Sequence, residues 1–532
     1  MRYFLITLII LVQTPLVSME RQEEDAVLVP ELKSIVLLGK DDNLPGPSNL
    51  LCKKLKPFLC KPVTVCTLEE IKKTISDYYA QQGQPFVLIK VPQQEVTSGV
   101  LKLVIIESRV GSITVEGNRH FSSQGIIRYF QVKPGDPILQ DRLLRSVSFV
   151  NRNPFRRVDI VFAPGEKENT TDIILATKDR RALRVYAGSD NLNVSTLGQN
   201  EWYAGFNWGD AFNLGHILSY QYTASYDINH FQAHTAEYTA FFSWGHLLDV
   251  YGGYSEVHPP VSSPFKRNDG WSMQVSARYL IPLKIYQYLE HEITVGADFK
   301  RTNNTFQFEE FTFPGFGKNV NLTQLVWGYG GNYERNIYRL DFKGTFFCSP
   351  GQWIADQTNA DYASLRLGAV NRWLYFRGYF IYLQRLPKSF SFYMRLQGQG
   401  STEPLLPSEQ FGLGGYDTVR GYEERQVNID NALVVNLEVR SPAMPITKWI
   451  RPSSKVADAL QFLCFLDSGW GVNNDPPPET EKVNFLMGVG PGARYTLEPY
   501  LTARLDWGVR LRNKSIYPGN WYRLHFNVTA SY

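Results

Sequence analysis

A regular alternation of apolar and polar residues, which runs from Arg181 to the C-terminus, constrains this chain more than any other feature. In the last segment, five apolar or aromatic residues share one face: Leu524, Phe526, Val528, Ala530 and Tyr532. The residues between them are polar: His525, Asn527, Thr529 and Ser531. A period of two residues is that of a β-strand, whose successive side chains point to opposite faces. Short segments of this kind, separated by polar turns, predict that this part of the chain is all β.

Composition limits the classes of protein that such a chain can form. Aromatic residues make up 14% of the 532 residues, which excludes intrinsic disorder, and the net charge is only +4. A near-balanced charge argues against nucleic acid as a partner, because nucleic-acid binders carry a basic stripe. After the N-terminus, no apolar run is long enough for a membrane-spanning helix. The remaining classes are a soluble multidomain β protein and a membrane β-barrel, whose alternating strands look polar on average.

The N-terminus indicates the cell envelope. Arg2 precedes an apolar run from Phe4 to Val12, and small or mixed residues follow up to Ser18. This pattern predicts a secretory signal peptide over residues 1–18, rather than a buried N-terminal strand. Together with the aromatic excess and the charged strand faces, the signal peptide favours a membrane barrel with a polar lumen over a secreted sandwich.

The barrel is predicted to occupy residues 180–532. Sixteen candidate strands are found there, an even number, as single-chain bacterial barrels require. The tenth of them is placed to begin near Tyr362. Phe526, Val528 and Tyr532 lie in the terminal strand, which is expected to serve membrane insertion.

Between residues 32 and 179, strand-like and helix-like patterns alternate twice. The first pass, 32–108, predicts one strand, two helices and two strands: Leu32–Lys40, Ser48–Leu59, Thr67–Gln82, Phe86–Val91 and Val100–Glu107. The second pass, 109–179, repeats that order: Gly111–Gly117, Ser122–Phe130, Leu139–Asn151, Arg157–Ala163 and Thr171–Thr177. Two copies of one small α+β module is the simplest interpretation. In the first copy, Thr67 and Glu70 form the pattern of a capping box, with Thr67 as the helix N-cap.

A module of three strands leaves a sheet edge open, where an extended peptide can add as a further strand. The expected edge strand of the first module is Phe86–Val91. The residues expected to bind substrate there are Phe86, Leu88, Lys90 and Val91.

The five cysteines are too few for a disulfide scaffold, and their odd number leaves at least one unpaired or intermolecular. Cys52 and Cys60 would lie about two turns apart if both belong to one helix, which is too far for a disulfide. Cys60 and Cys66 flank a connection that contains a proline and are the better candidate pair.

Motifs of catalysis are missing. The sequence contains no G-x-S-x-G, H-E-x-x-H or G-x-x-x-x-G-K-[ST] pattern. It therefore lacks the motifs typical of serine hydrolases, zinc proteases and nucleotide-driven proteins. His230 and His234 are spaced for one helix face but lie in an expected loop or turn, so a chance pair is the better explanation. No enzyme activity, cofactor or metal site is predicted.

Two short patterns stand where a barrel would bring them together. With the modules in the periplasm, the connection after the eleventh strand, at about 402–430, is external and is expected to lack secondary structure of its own. It contains Val419, Arg420, Gly421 and Tyr422. In the thirteenth strand, Phe465, Asp467 and Gly469 occupy alternate positions and therefore face the same way, towards the lumen.

The guanidinium of Arg420 can engage a carboxylate with two parallel hydrogen bonds, which a lysine cannot. A buried pair of Arg420 with Asp467 is therefore predicted to hold the loop inside the barrel. The alternative is that Arg420 is a solvated surface charge and Asp467 a generic lumen carboxylate.

These residues resemble known signatures. Val419–Tyr422 is similar to the VRGY signature, and Phe465–Gly469 to the FxDxG signature, of the outer-membrane assembly and secretion barrel superfamily. Within it, the segment Val91–Glu107, with its Pro-Gln run and turn glycine, resembles the first periplasmic module of two-partner secretion transporters of the ShlB/FhaC/HecB type. Asn153-Pro154 and Ala163–Gly165 are similar to parts of the second module. The resemblance covers residues 32–532.

The resemblance implies two POTRA modules in the periplasm, at 32–108 and 109–179, that feed a sixteen-stranded outer-membrane barrel. The implied function is ATP-independent export of one large, unfolded exoprotein to the cell surface. The implied partners are that exoprotein and outer-membrane lipid, with periplasmic chaperones as further candidates, and a monomer is expected. Members often carry an N-terminal plug helix, whereas the short segment at 19–31 leaves room for a short plug or none.

Two alternative functions remain beside export. One is an assembly factor that inserts other barrels, and the other is a passive pore or adhesin. The module count favours transport, because the central barrel-assembly protein of the superfamily carries five such modules.

Overall fold

The computed structural model describes residues 27–39, 49–194, 197–260, 265–286, 288–308, 311–312, 318–451, 457–476, 482–512 and 520–532. The predicted signal peptide at 1–18, and most of the segment at 19–31, lie outside these residues. The chain divides into two compact units, with the break between Arg180 and Arg181. None of the described helices is both long and apolar enough to cross a membrane.

The first module is a three-stranded sheet packed against helices. Its elements are β1 (Val27–Val29), β2 (Ser34–Gly39), α1 (Asn49–Leu55), a 3-10 turn (Lys56–Phe58), β3 (Val63–Thr64), α2 (Val65–Gln81), β4 (Val87–Lys90) and β5 (Val100–Glu107). β5 is the central strand, parallel to β2 and antiparallel to β4, while β1 pairs with β3. Leu101, Leu103 and Ile105 of β5 join Ile71 and Ile75 of α2 in one core. β4 is therefore an edge strand, at the place where the sequence predicts one.

Two local predictions for this module are wrong. Thr64, not Thr67, is the N-cap of α2, because the hydroxyl of Thr64 accepts a hydrogen bond from the N–H of Thr67 at 3.2 Å. Cys60 and Cys66 are free thiols. The backbone N–H of Cys60 is bonded to the carbonyl of Leu32, whereas Cys66 lies in the first turn of α2, so different elements hold the two cysteines.

The second module repeats the architecture of the first. Its elements are β6 (Arg109–Glu116), α3 (Ser123–Ile127), α4 (Gln140–Val150), β7 (Arg156–Pro164) and β8 (Thr170–Asp179). β8 is central, parallel to β6 and antiparallel to β7. α3 is shorter than predicted, and the hydroxyl of Ser122 caps it by accepting the N–H of Gly125 at 3.0 Å. The order of elements nevertheless matches the sequence prediction.

The second unit is a closed antiparallel barrel of sixteen long strands, as predicted. The first eight are β9 (Leu183–Asp190), β10 (Glu201–Ala211), β11 (His216–Ser225), β12 (Phe231–Phe241), β13 (Leu247–Val257), β14 (Phe265–Pro282), β15 (Leu289–Phe308) and β17 (Val320–Glu334). A two-residue strand, β16 (Phe311–Thr312), pairs with β15 between them. The other eight are β18 (Tyr338–Pro350), β19 (Arg372–Arg385), β20 (Ser391–Ser401), β23 (Asn431–Arg440), β24 (Asp458–Val472), β25 (Val483–Leu497), β26 (Leu501–Arg510) and β27 (Tyr522–Ser531). β27 pairs with β9 and closes the ring.

The predicted start of the tenth strand near Tyr362 is wrong. A short helix, α5 (Asn359–Leu365), occupies that position, and the strand begins only at Arg372. The reason is a capping box: the hydroxyl of Thr358 accepts the N–H of Asp361, and the Asp361 carboxylate accepts the N–H of Thr358. His234 also lies within strand β12, not in the loop or turn expected for it.

The alternation of residues along the strands corresponds to the two faces of the barrel. In β27, Leu524 and Val528 are exposed on the outer face, whereas His525 is fully buried on the lumen side. β24 shows the same pattern, because Phe465 and Asp467 are buried and Phe462 is half exposed. Polar residues therefore point inwards, as a barrel that meets lipid requires.

Candidate functional site

The loop between β20 and β23, residues 402–430, packs against the lumen face of the barrel. Contrary to the prediction, it has secondary structure of its own, a small hairpin of β21 (Phe411–Leu413) and β22 (Val427–Ile429). The hairpin and the motif share an apolar cluster with the barrel wall, formed by Phe411, Leu413, Val419, Tyr422, Ile429, Ala432, Val434 and Leu486. The loop is therefore a folded, buried element rather than a flexible surface segment.

Arg420 and Asp467 form the predicted pair. The Nε and Nη2 atoms of Arg420 donate to the two carboxylate oxygens of Asp467 at 2.7 and 2.9 Å, and the backbone N–H of Arg420 donates to Oδ2 at 3.0 Å. Arg420 is 2% exposed and Asp467 is 0% exposed. Because a carboxylate and a guanidinium withdrawn from water each need a partner, this geometry fixes both side chains.

The pair belongs to a larger cluster of charges. Nη1 of Arg420 donates to Glu438 of β23 at 2.8 Å and lies 3.6 Å from Asp506 of β26. Arg494 and Arg504 in turn hold the Asp506 carboxylate, with N–O distances of 2.8 to 2.9 Å. One guanidinium on the loop thus connects to three strands of the wall, β23, β24 and β26.

Close packing also holds the loop against the barrel wall. The Arg420 guanidinium lies over the ring of Phe465, 3.6 Å from its centroid. A Cβ atom on Gly488 of β25 would come within 1.9 Å of the Arg420 carbonyl oxygen, so only glycine fits the wall at that point. Gly421 has a φ of +97°, a conformation that favours glycine, and it lies directly against Gly508 of β26. Gly421 of the loop motif and Gly488 of the wall are therefore both needed for this close contact.

The rest of the VRGY motif also contacts the wall. The N–H of Gly421 donates to Nε2 of His525 in the last strand at 3.1 Å. The hydroxyl of Tyr422 donates to backbone carbonyls of Met487 and Arg512. Val419 contacts Gly469, the last residue of the second motif. The predicted motif residues Val419, Arg420, Gly421 and Tyr422 are thus brought together with Phe465, Asp467 and Gly469.

A second buried carboxylate fixes the start of the loop. Glu409, 1% exposed, accepts hydrogen bonds from Nζ of Lys300 at 2.6 Å and from the hydroxyl of Tyr375 at 2.7 Å. Lys300 and Tyr375 belong to β15 and β19, on a different part of the wall from Arg420's partners. The loop is therefore held at separate points along its length.

Sequence reasoning missed several members of this site. Glu438, Asp506 and His525 stand at polar positions of alternating strands, but nothing in the sequence distinguishes them from other lumen-facing residues. Among the described residues, no group of three or more His, Cys, Asp or Glu side chains is arranged to hold a metal ion.

The other predicted site residues lie in different parts of the chain. In the first module, the rings of Phe86 and Phe162 are 4.4 Å apart, and Lys90 forms an ion pair with Glu168, so the second module contacts both residues. Leu88 and Val91 remain 43% and 38% exposed. At the C-terminus, Val528 of β27 and Tyr532, which directly follows that strand, are exposed on the outer face, where lipid is expected.

Comparison with known proteins agrees with this architecture. The family model described as haemolysin secretion/activation protein ShlB/FhaC/HecB matches residues 169–495. The chain belongs to this family. The model of the ShlB-type POTRA domain matches residues 34–108, and a second POTRA model, described as surface antigen variable number repeat, matches 108–177.

Individual relatives have low sequence identity to this ShlB/FhaC/HecB member, but they align with most of its length. The heme/hemopexin transporter protein HuxB of Haemophilus influenzae (strain 86-028NP) is 22% identical over 73% of this chain and 68% of its own length. The outer membrane transporter CdiB of Dickeya dadantii (strain 3937) is 21% identical, over 78% of this chain and 76% of its own. The solved structure of CdiB from Escherichia coli has the same fold, with a TM-score of 0.77 at 15% identity over 98% of this chain and 93% of that one.

Family membership and fold together establish the class of this protein. It is an outer-membrane transporter of the two-partner secretion type, with POTRA modules in the periplasm and an exoprotein as its cargo. The predicted family, fold class and location are thereby confirmed.

Proposed function

We propose that this transporter exports one large exoprotein as an extended polypeptide, without ATP, through a lumen whose path is set by the anchored loop 402–430. The observation that carries this proposal is the buried contact of Arg420 with Asp467 and Glu438. A fully buried guanidinium with two carboxylate partners is costly to assemble, and such groups are retained within membrane proteins chiefly at functional sites.

The anchored loop occupies part of the lumen and leaves the rest for the exoprotein. Because the loop is tied to β23, β24 and β26 through Arg420 and to β15 and β19 through Glu409, its hairpin occupies a fixed part of the lumen. The exported polypeptide must then pass beside this hairpin, whose position in the lumen is fixed. The sequence carries no nucleotide-binding motif and no catalytic motif, so the direction of transport is assigned to folding of the exoprotein outside the cell.

The first module is assigned the capture of that exoprotein. Among the described strands, β4 pairs with β5 alone, so its other side offers backbone groups to which an extended peptide can add. Phe86 and Lys90 contact the second module, so exposed Leu88 and Val91 are the residues of this edge best placed to meet the peptide. Periplasmic chaperones are proposed as partners that keep the exoprotein unfolded before capture.

The barrel is proposed to act as a monomer in lipid. One chain closes the ring through the pairing of β27 with β9, so no second copy is needed for closure. Val528 and Tyr532 expose apolar surface at the terminal strand, and Phe526 lies on the same face. This strand is assigned to membrane insertion.

The test is a comparison of two protein inventories by mass spectrometry, with and without the gene in its native host. One inventory covers the secreted proteins and the other the outer membrane. The proposal predicts loss of a single large secreted protein while other outer-membrane barrels keep their levels. A general loss of barrels would support an assembly factor instead, and no change in either inventory would support a passive pore.

A further inference from the structure

A second buried ion pair ties the far end of loop 402–430. Arg366 lies directly after α5, in the external connection between β18 and β19. Its two Nη atoms donate to the two carboxylate oxygens of Asp430, the last loop residue before β23, with Nη2 at 2.7 Å. Asp430 is 0% exposed, and the side chain of Arg366 is 8% exposed. This pair is bidentate like that of Arg420, although its arginine is slightly more exposed, at 8% against 2%, and it lies outside both sequence motifs.

Three external connections meet at this pair. Arg366 donates to the carbonyls of Leu405, at the start of the loop, and Asn474, which follows β24. The Asp430 carboxylate also accepts the backbone N–H groups of Leu405 at 3.0 Å and Asn474 at 2.9 Å. Since β18, β20 and β24 all run outwards, the connections that follow them lie at the outer end of the barrel. One guanidinium and one carboxylate therefore join three chain segments there.

The segment that carries Arg366 is itself firmly placed. The capping box of Thr358 and Asp361 begins α5, and the hydroxyl of Tyr362 donates to the carbonyl of Asn321 in β17 at 2.9 Å. Tyr362 is fully buried in an apolar cluster with Trp373 and residues of the loop start. Because α5 is packed on the wall, Arg366 is presented to Asp430 from a rigid base.

We propose that Arg366 and Asp430 form an external latch, which holds the outer mouth of the barrel closed until the emerging exoprotein separates the three connections. The inference rests on the proposed export function and adds its regulation. A bidentate pair with backbone contacts to two further segments is a discrete arrangement, which is either made or broken. Breaking it frees the end of the loop at β23, while Arg420 still holds the middle of the loop to the wall.

The test measures ion conductance of the purified full-length chain in planar bilayers, without any exoprotein. Arg366→Gln and Asp430→Asn each remove the charge pair with little change of volume. Either variant should raise the fraction of time spent open by about tenfold, and the double variant should add little to either single one, because the two residues act as one unit. Arg366→Lys, which keeps the charge but not the fork, should give a smaller rise.

The matched control is Arg339→Gln. Arg339 holds Asp341 in the same bidentate way, at 2.9 Å for both bonds, but the two residues belong to one strand, β18. Its conductance should equal that of the original chain. The latch is wrong if Arg366→Gln and Asp430→Asn leave the open fraction unchanged in barrels that keep heat-modifiable mobility on electrophoresis, or if Arg339→Gln raises it equally. These readings do not depend on export, so a failed latch and a failed export function are distinguishable.

Discussion

Replacing Arg420 by alanine tests the anchored loop most sharply. The change removes three side-chain hydrogen bonds, two to Asp467 and one to Glu438, and the stacking on Phe465. Asp467 and Glu438 are 0% and 5% exposed, so both carboxylates lose a charged partner where water hardly reaches. Breaking a buried pair by removing one partner costs about 3–5 kcal/mol.

That cost falls on the loop rather than on the barrel. It shifts the ratio of docked to released loop by roughly two to four orders of magnitude. The ring of sixteen strands keeps its backbone pairing, because no ladder bond involves the Arg420 side chain. Glu409 and the hairpin still hold the start of the loop. We therefore expect Arg420→Ala to insert into the outer membrane in normal amounts and to export poorly.

The assay combines the level of the secreted exoprotein with heat-modifiable mobility and bilayer conductance. Arg339→Ala serves as the control, since it removes an arginine bonded to a carboxylate of its own strand. Arg420→Lys should restore export only in part, because an ammonium cannot reproduce the bonds of the planar fork. Unchanged export by Arg420→Ala would refute the functional role of the pair, and failure of the barrel to insert would refute the claim that the effect is local.

Three further outcomes are expected. Gly488→Ala should impair export as Arg420→Ala does, because the new Cβ would lie 1.9 Å from the Arg420 carbonyl oxygen, whereas Gly400→Ala in β20, where a Cβ has no neighbour within 4 Å, should export normally. In the register of β4 with β5, the N–H of Ser108 donates to the carbonyl of Phe86, so the N–H of Leu88 faces β5 and that of Ile89 faces the open edge. Ile89→Pro should therefore lower export, and equal export from a chain whose module is folded by circular dichroism would exclude this edge. Burial acts to raise the pKa of the Asp179 carboxyl, but the N–H groups of His120, Phe121 and Arg119 outweigh it and leave that pKa lowered. The stabilisation is therefore present at neutral pH and lost as the pH falls through the lowered pKa, so Asp179→Asn should speed amide exchange at residues 119–121 at pH 7, by a ratio that shrinks below about pH 4.

The barrel was predictable because the alternation of apolar and polar residues is visible within each strand. Alternation along a strand such as β27 shows directly which residues face lipid, and Leu524 and His525 lie on the expected faces. The tenth strand was misplaced because apolar residues around Tyr362 look alike in a strand and in a short helix. The capping pattern of Thr358 and Asp361 was the sequence signal for the helix.

The site was only partly predictable, because its remaining members depend on strand register. Asp467 could be matched to Arg420 through two motifs, but Glu438 is brought beside them by the pairing of β23 with β24, in which it faces Phe465. Asp506 and His525 are likewise opposite each other only in the register of β26 with β27. A shift of one residue would turn each of these side chains to the other face, and the sequence does not show the register. The loop hairpin and the Arg366 pair depend on tertiary contacts in the same way.

A photo-crosslinker within the lumen tests the central claim most directly. Tyr393 and Phe392 are neighbours in β20; the Arg440 guanidinium stacks on the Tyr393 ring at 4.2 Å in the lumen, while Phe392 packs against Tyr382 on the outer face. With p-benzoylphenylalanine at position 393, irradiation during secretion should capture one large exoprotein, and the same probe at position 392 should not. Export that continues without any capture at position 393, or equal capture at both positions, would contradict transport of the exoprotein through this lumen.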